Sequence, residues 1–301
     1  VDPVTGEMIF FAYMASGFFA NDIALCKVDK DGFLTEKQRF EAPYTSMVHD
    51  FVVTENYIIF PVLPLTGDLE RAMAGNPPFA WEPDKPAWLG VMPRAGSADE
   101  IRWIEADPCY VFHFMNGRDK DGVITFEACH FDHPPLFPTL DGKSTGIIHP
   151  RMNRWQLDMN LENPKVSQEY IGDTGAEFPV IDPRYAMRDY THGWVISTDK
   201  TIPAAIPDSD WVYNTIEHFN VKTGAVDRYS FKNGYVAEPM FVPREGGAEG
   251  EGFVLDVVYN LDTNMSDMCV FDAQNISAGP MGRAKVSHRV PVSFHGTWKP
   301  A

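Results

Sequence analysis

Apolar and polar positions alternate along most of this chain in short runs that are broken by turn residues. "DIALCKVDKDGFLTEKQRF" sets two strand-like runs on either side of Asp31-Gly32, a pair that favours the backbone of a tight hairpin loop. "CYVFHFMNGRDKDGVITFEACHF" repeats the device at Asp121-Gly122, and "YNTIEHFNVKTGAVDRYSF" repeats it at Thr223-Gly224. "GFVLDVVYNLDTNMSDMCVFDAQ" is a longer version of the same unit. Nowhere does a helical period of apolar positions persist over several turns. Repeated hairpins without helices predict an all-β protein, and many short multi-stranded units favour a propeller over a sandwich. The opening "VDPVTGEMIFFAYM" reads as a turn followed by a strand, so the sequence begins inside a folded element, as a segment of a longer protein would.

Between the runs lie long stretches rich in proline and glycine, "LTGDLERAMAGNPPFAWEPDKPAWLG" and "CHFDHPPLFPTLDGKSTGIIHP". Loops of that length on a rigid β scaffold shape a site on one face. The 23 glycines and 24 prolines are spread throughout and mark no linker, which predicts a single domain over residues 1–301. A hydrophobic content of 44%, with 13% aromatic, suffices for a substantial core. No apolar run reaches the ~18 residues that a membrane span needs. The net charge of −17 repels phosphate backbones, which excludes nucleic acid as a partner. Cys26, Cys109, Cys129 and Cys269 are scattered without a C-x-x-C spacing and read as free thiols, which predicts a cytoplasmic location. Neither the G-x-S-x-G of serine hydrolases nor a phosphate-binding G-x-x-x-x-G-K-[ST] is present.

Three of the nine histidines share a setting. His49 lies in "MVHDF", His113 in "VFHFMN" and His295 in "SFHGTW", each beside or near an aromatic residue and in or at the edge of a strand-like run. Such an imidazole is a hydrogen-bonded core group, a metal ligand or an acid–base group. Three so far apart converge only if their strands point to a shared axis, as the innermost strands of propeller blades do. His130 and His133 in "CHFDHPP" read as loop-surface residues, and His149, His192, His218 and His288 have no such context. Two other classes stay open: a non-catalytic propeller with structurally buried histidines, and a Ca2+-dependent propeller hydrolase. Imidazole donors argue against the second, because Ca2+ prefers oxygen.

The segments "MVHDFVVTENYIIFP", "PCYVFHFMN", "EFPVIDPRY", "AEPMFVPR" and "VPVSFHGTW" resemble, in order, signature segments of the carotenoid cleavage oxygenase family, whose bacterial branch includes the lignostilbene dioxygenases. The resemblance implies a seven-bladed β-propeller in the full protein, with long loops over an axial face that carries a non-haem Fe(II) held by four histidines. By that resemblance His49, His113 and His295 are three of the ligands. The fourth and the first blades would precede Val1, since "VDPVTGEM" looks like the family stretch that follows the first ligand. Glu177 and Glu238 match the glutamates that orient the family's histidines. Both precede or approach proline in apolar runs, where a carboxylate is costly without a partner. Phe137 is expected to line the substrate pocket. The implied reaction is cleavage of a conjugated carbon–carbon double bond by O2 to two carbonyls. The expected substrate is a lignin-related hydroxystilbene giving two aromatic aldehydes, with an apocarotenoid or carotenoid as the alternative. A homodimer is left open.

Overall fold

The computed structural model describes residues 1–203, 212–291 and 293–299. The chain divides into two compact units. The first comprises Val1–Ile148, Arg154–Glu169 and Ala186–Asp189, and the second His149–Asn153, Tyr170–Tyr185 and Tyr190–Ala301.

The first unit opens with the antiparallel meander β1 (Met8–Tyr13), β2 (Asp22–Val28) and β3 (Leu34–Glu41). Next come β4 (Val52–Val53), β5 (Tyr57–Val62), β6 (Leu65–Gly67), β7 (Phe79–Trp81), β8 (Ala87–Pro93) and β9 (Arg102–Ala106). Strands β4, β5, β8 and β9 form one sheet, and β6 pairs with β7 as a separate ribbon. The stretch expected to be an irregular loop therefore holds β6, β7 and a single-turn helix, α1 (Leu69–Met73), which Asp68 caps through the Arg71 N–H. The third sheet has the order β10 (Tyr110–Lys120), β11 (Val123–Phe131), β12 (Arg151–Asp158) and β13 (Ser167–Gly175).

The second unit continues with β14 (Glu177–Ile181), β15 (His192–Ser197), β16 (Thr215–Asn220) and β17 (Val226–Ser230), paired antiparallel in chain order. It ends with β18 (Gly234–Tyr235), β19 (Met240–Pro243), β20 (Gly252–Asn260), β21 (Met265–Asp272) and β22 (Gly282–Lys285). Here the edge strands β18 and β19 both pair with the same side of β20, whose other side pairs with β21. The all-β expectation holds, and the four expected hairpins are β2–β3, β10–β11, β16–β17 and β20–β21. At β10–β11 the loop is Asp121-Gly122 alone, with φ of 51° and 79°. Both residues are left-handed, as the tightest hairpin turn requires.

Strand β5 shows why its sequence, "YIIFPV", is apolar without alternation. Ile59 packs into a cluster with Leu89, Val111 and Phe126, while Ile58, Phe60 and Val62 pack on its other face with Ile23 and Leu25. A strand covered on both faces has no polar side. The second unit buries Trp194, Ile216, Val254 and Phe271 together, and the Trp194 indole N–H donates to the Ala273 carbonyl at 2.8 Å. Charge enters the interior only where it is matched. Glu127, fully buried, receives Arg118 at 2.8 Å and Arg154 at 2.9 Å. Arg94 receives Asp2 and Glu7, each at 2.8 Å, and so ties down the N-terminal turn. Burial alone would raise the Asp2 carboxyl, but the Val4 N–H and Arg94 outweigh it and hold it well below the usual range.

Candidate metal centre

In the first unit His49 sits in the connection ahead of β4, and that connection is pinned on both sides of it. Before it, the Met47 N–H donates to the Leu65 carbonyl at 3.0 Å, Val48 is buried, and the Tyr110 hydroxyl donates to the Met47 carbonyl at 3.4 Å. After it, the Asp50 carboxylate accepts the Phe51 N–H at 2.8 Å and the Phe114 N–H at 2.9 Å. Phe114 follows His113 in β10, so one carboxylate ties the two histidine-bearing segments together. The two imidazoles lie 5.2 Å apart between centroids, nearly perpendicular at 80°. The Phe112 ring stands edge-on to His49 at 5.1 Å.

Strand β10 is irregular where it carries His113, for its register against β11 slips twice between Val111 and Asn116. Such bulges re-aim a side chain away from the regular pleat. Four residues after His113, Gly117 allows β10 to approach β4. A Cβ there would lie 2.3 Å from Val52 Cγ1, closer than any real contact.

In the second unit His295 lies in the exposed stretch 293–299. Its Nδ1–H donates to Glu238 Oε1 at 3.0 Å, and the Gly296 N–H donates to Glu238 Oε2 at 2.7 Å. One carboxylate thus fixes both the ring and the backbone beside it, and Nε2 is the nitrogen oriented to act as a ligand. Pro239 follows Glu238 and restricts it to extended backbone.

Glu177, buried at the start of β14, stands at a second bulge, between Glu177 and Val180. Phe178 there has φ of 49°, a left-handed conformation that a bulky side chain adopts only when its surroundings impose it. Its N–H donates to Glu177 Oε2, and its ring lies 5.9 Å from that of His295.

Phe137, partly buried, packs against the cluster that contains Tyr110 and Phe131. His130 departs from the loop-surface expectation. It lies in β11, buried, with its ring 6.1 Å from Trp155, because β11 runs on to Phe131 and covers both faces. His192 and His218, unremarkable in sequence, meet with His192 Nδ1 and His218 Nε2 2.8 Å apart, while Trp194 stacks on His218 at 5.5 Å. Burial and the neighbouring His192 lower His218 to about 4, against an opposing pull from Asp227.

A family profile described as retinal pigment epithelial membrane protein matches residues 1–300. The chain belongs to this family, the carotenoid cleavage oxygenases. It is 34% identical to an isoeugenol monooxygenase of Pseudomonas nitroreducens over 99% of its length. It is also 34% identical to lignostilbene-alpha,beta-dioxygenase isozyme III of Sphingomonas paucimobilis over its full length. It spans 64% of the length of each of these two relatives. The crystal structure of a lignostilbene dioxygenase of Pseudomonas brassicacearum superposes with a TM-score of 0.94 at 33% identity, covering the whole chain and 65% of that structure. Cobalt-substituted Synechocystis apocarotenoid oxygenase gives 0.85 at 26% identity, covering 97% of this chain and 61% of that one. In this chain the five signature segments fall at the β4–β5 hairpin, the bulge of β10, the bulge of β14, strand β19 and the stretch that carries His295.

Proposed function

We propose that the full-length protein is a non-haem Fe(II) oxygenase that cleaves a conjugated carbon–carbon double bond of a small aryl alkene, with a lignin-related hydroxystilbene as the preferred substrate. In this reading His49, His113 and His295 each give one ring nitrogen to the iron, with a fourth ligand from the part of the protein that precedes this sequence. The observation that carries it is the manner in which these histidines are held. Glu238 grips His295 through ring and backbone, and Asp50 couples the segments of His49 and His113.

The donor set suits ferrous iron. Imidazole nitrogen is a good donor to first-row divalent metals, and neutral rings leave the ion its full charge. The Glu238 carboxylate selects the His295 tautomer with hydrogen on Nδ1, so the lone pair is on Nε2. Bound Fe(II) would supply the redox chemistry through which O2 adds across an alkene, one O2 and one double bond giving two carbonyls. The chain's own contribution is positional. Asp50 and Gly117 fix the spacing of two donors, Glu238 orients the third, and Glu177 is assigned to the same orienting role within the centre. Phe137 is assigned to the wall against which an aryl ring lies. The closed seven-bladed propeller, as a single domain to which residues 1–301 contribute, belongs to the same proposal. The relatives' names, isoeugenol monooxygenase and lignostilbene dioxygenase among them, favour a phenolic aryl alkene.

The test is oxygen uptake by the full-length, Fe(II)-loaded protein offered 4-hydroxystilbene and an apocarotenoid in parallel. Uptake with aromatic aldehyde release from the stilbene alone is the expected result. Uptake with the apocarotenoid alone overturns the substrate, and no iron in the purified or reconstituted protein overturns the reading as a whole.

A further inference from the structure

Strand β20 carries a polar residue where its pattern requires an apolar one. Alternate residues Val254, Asp256 and Val258 point to the buried face, and Val254 and Val258 belong to the core cluster of the second unit. Asp256 is fully buried and lies opposite Cys269 of β21, itself buried in that cluster. No arginine or lysine side chain is bonded to it among the described residues, in contrast to Glu127. A carboxyl group in such a place is costly, and only a specific hydrogen bond justifies it.

The Ala237 N–H supplies that bond. Edge strands β18 and β19 pair with β20 at Tyr235↔Tyr259 and Met240↔Leu255. Between those two pairs, residues 236–239 run past residues 256–258 with no ladder partner of their own. The Asp256 side chain fills the gap, for its Oδ1 accepts the Ala237 N–H at 3.0 Å. Val236 is anchored separately, its N–H donating to the Tyr213 carbonyl at 3.0 Å. The chain is thus held just before Glu238 at Val236 and Ala237 and just after it at Met240, and Glu238 is the group that grips His295 and Gly296.

We propose that Asp256 is the positioning residue of the metal centre: by accepting the Ala237 N–H inside the sheet, it holds the backbone of Glu238 and, through that carboxylate, the ring of His295. The inference deepens the iron reading and rests on it for its purpose, though the chain of hydrogen bonds itself needs no metal. The second oxygen, Oδ2, is buried without a hydrogen-bond partner among the described residues. Burial, with the Glu238 charge adding to it, pushes the Asp256 carboxyl well above the usual range, against an opposing pull from the Ala237 N–H.

The experiment uses the full-length protein in three forms: wild type, Asp256→Asn and Asp256→Val. Asparagine keeps an acceptor oxygen at the same place without charge, whereas valine matches the neighbouring core and removes the acceptor. Two readouts are taken, amide hydrogen exchange of the metal-free protein at Ala237 and Gly296, and the dissociation constant for Co(II) followed by its visible absorption. Asp256→Val is expected to speed exchange at both amides about tenfold and to weaken Co(II) about tenfold, with Asp256→Asn within about twofold of wild type. Wild-type exchange in Asp256→Val overturns the proposal, and so does an Asp256→Asn protein as impaired as Asp256→Val. If Asp256→Val does not fold, Ala237→Pro removes the donor from the other end, and wild-type exchange at Gly296 in that variant overturns the proposal equally. A wild-type protein that binds no Co(II) while its exchange pattern follows Asp256 sinks the metal reading and leaves the positioning role standing.

Discussion

Replacing His218 with phenylalanine isolates one titrating group in the second unit. The wild-type ring is mostly buried against Trp194 and bonded to His192, and it titrates at about 4 instead of the ordinary 6.5. Between these two values the unfolded chain binds a proton that the folded chain refuses. Stability from this group is therefore complete above 6.5 and is lost as the pH falls toward 4. Going from about pH 7 to about pH 4.5, and allowing for the partial exposure of the ring, the loss is about 2 kcal/mol. The phenyl ring of His218→Phe preserves the stack on Trp194 but cannot titrate. It sacrifices one hydrogen bond, worth about 1 kcal/mol at neutral pH. Thermal melts at the two pH values read the difference, since about 2 kcal/mol moves the midpoint of a unit of this size by roughly 4–8 °C. Carboxylates such as Asp2 titrate in both proteins and cancel in the comparison. The variant is expected to start lower at neutral pH and to lose several degrees fewer on acidification. An equal loss in both proteins refutes the assignment of this pH dependence to His218.

Glu238→Ala is expected to weaken metal binding by about 10–100-fold in a Co(II) titration, with the fold retained, because it frees the His295 ring without touching the core. Glu127→Ala leaves Arg118 and Arg154 facing a buried void and is expected to cost about 3–5 kcal/mol, read as a shifted urea midpoint. Gly117→Ala drives a methyl group into Val52 and is expected to cost about 1–3 kcal/mol in the same assay, with Co(II) affinity lowered because β4 and β10 move apart.

The features legible in sequence are those fixed by near neighbours. Asp121-Gly122 announces its hairpin because two left-handed residues in a row are a local requirement. His49, His113, His295, Glu177 and Glu238 stood out through their flanking aromatic residues and prolines and through the family's segments. Contacts made across sheets left no such trace. Asp50 reaches the Phe114 N–H across 64 residues, and nothing in "VHDF" distinguishes it from a turn aspartate. The His192–His218 pair depends on the register of β15 on β16, in which His218 stands opposite Trp194 and His192 opposite Asn220, so the two histidines meet on the diagonal. The burial of His130 depends on β11 continuing to Phe131 when the prolines that follow suggest an earlier end. Asp256 was hidden for the opposite reason. Its alternating neighbours mark a core face, and only the interruption between β18 and β19 shows what an acid does there.

Iron content tests the central claim most directly. The full-length protein is reconstituted with Fe(II) without oxygen, desalted and assayed for metal per chain, alongside His49→Ala, His113→Ala, His295→Ala and the remote control His192→Ala. About one iron per chain is expected in the wild type and the control, with little or none in the three single-histidine variants. Iron retained at the wild-type level in any of the three would contradict that claim.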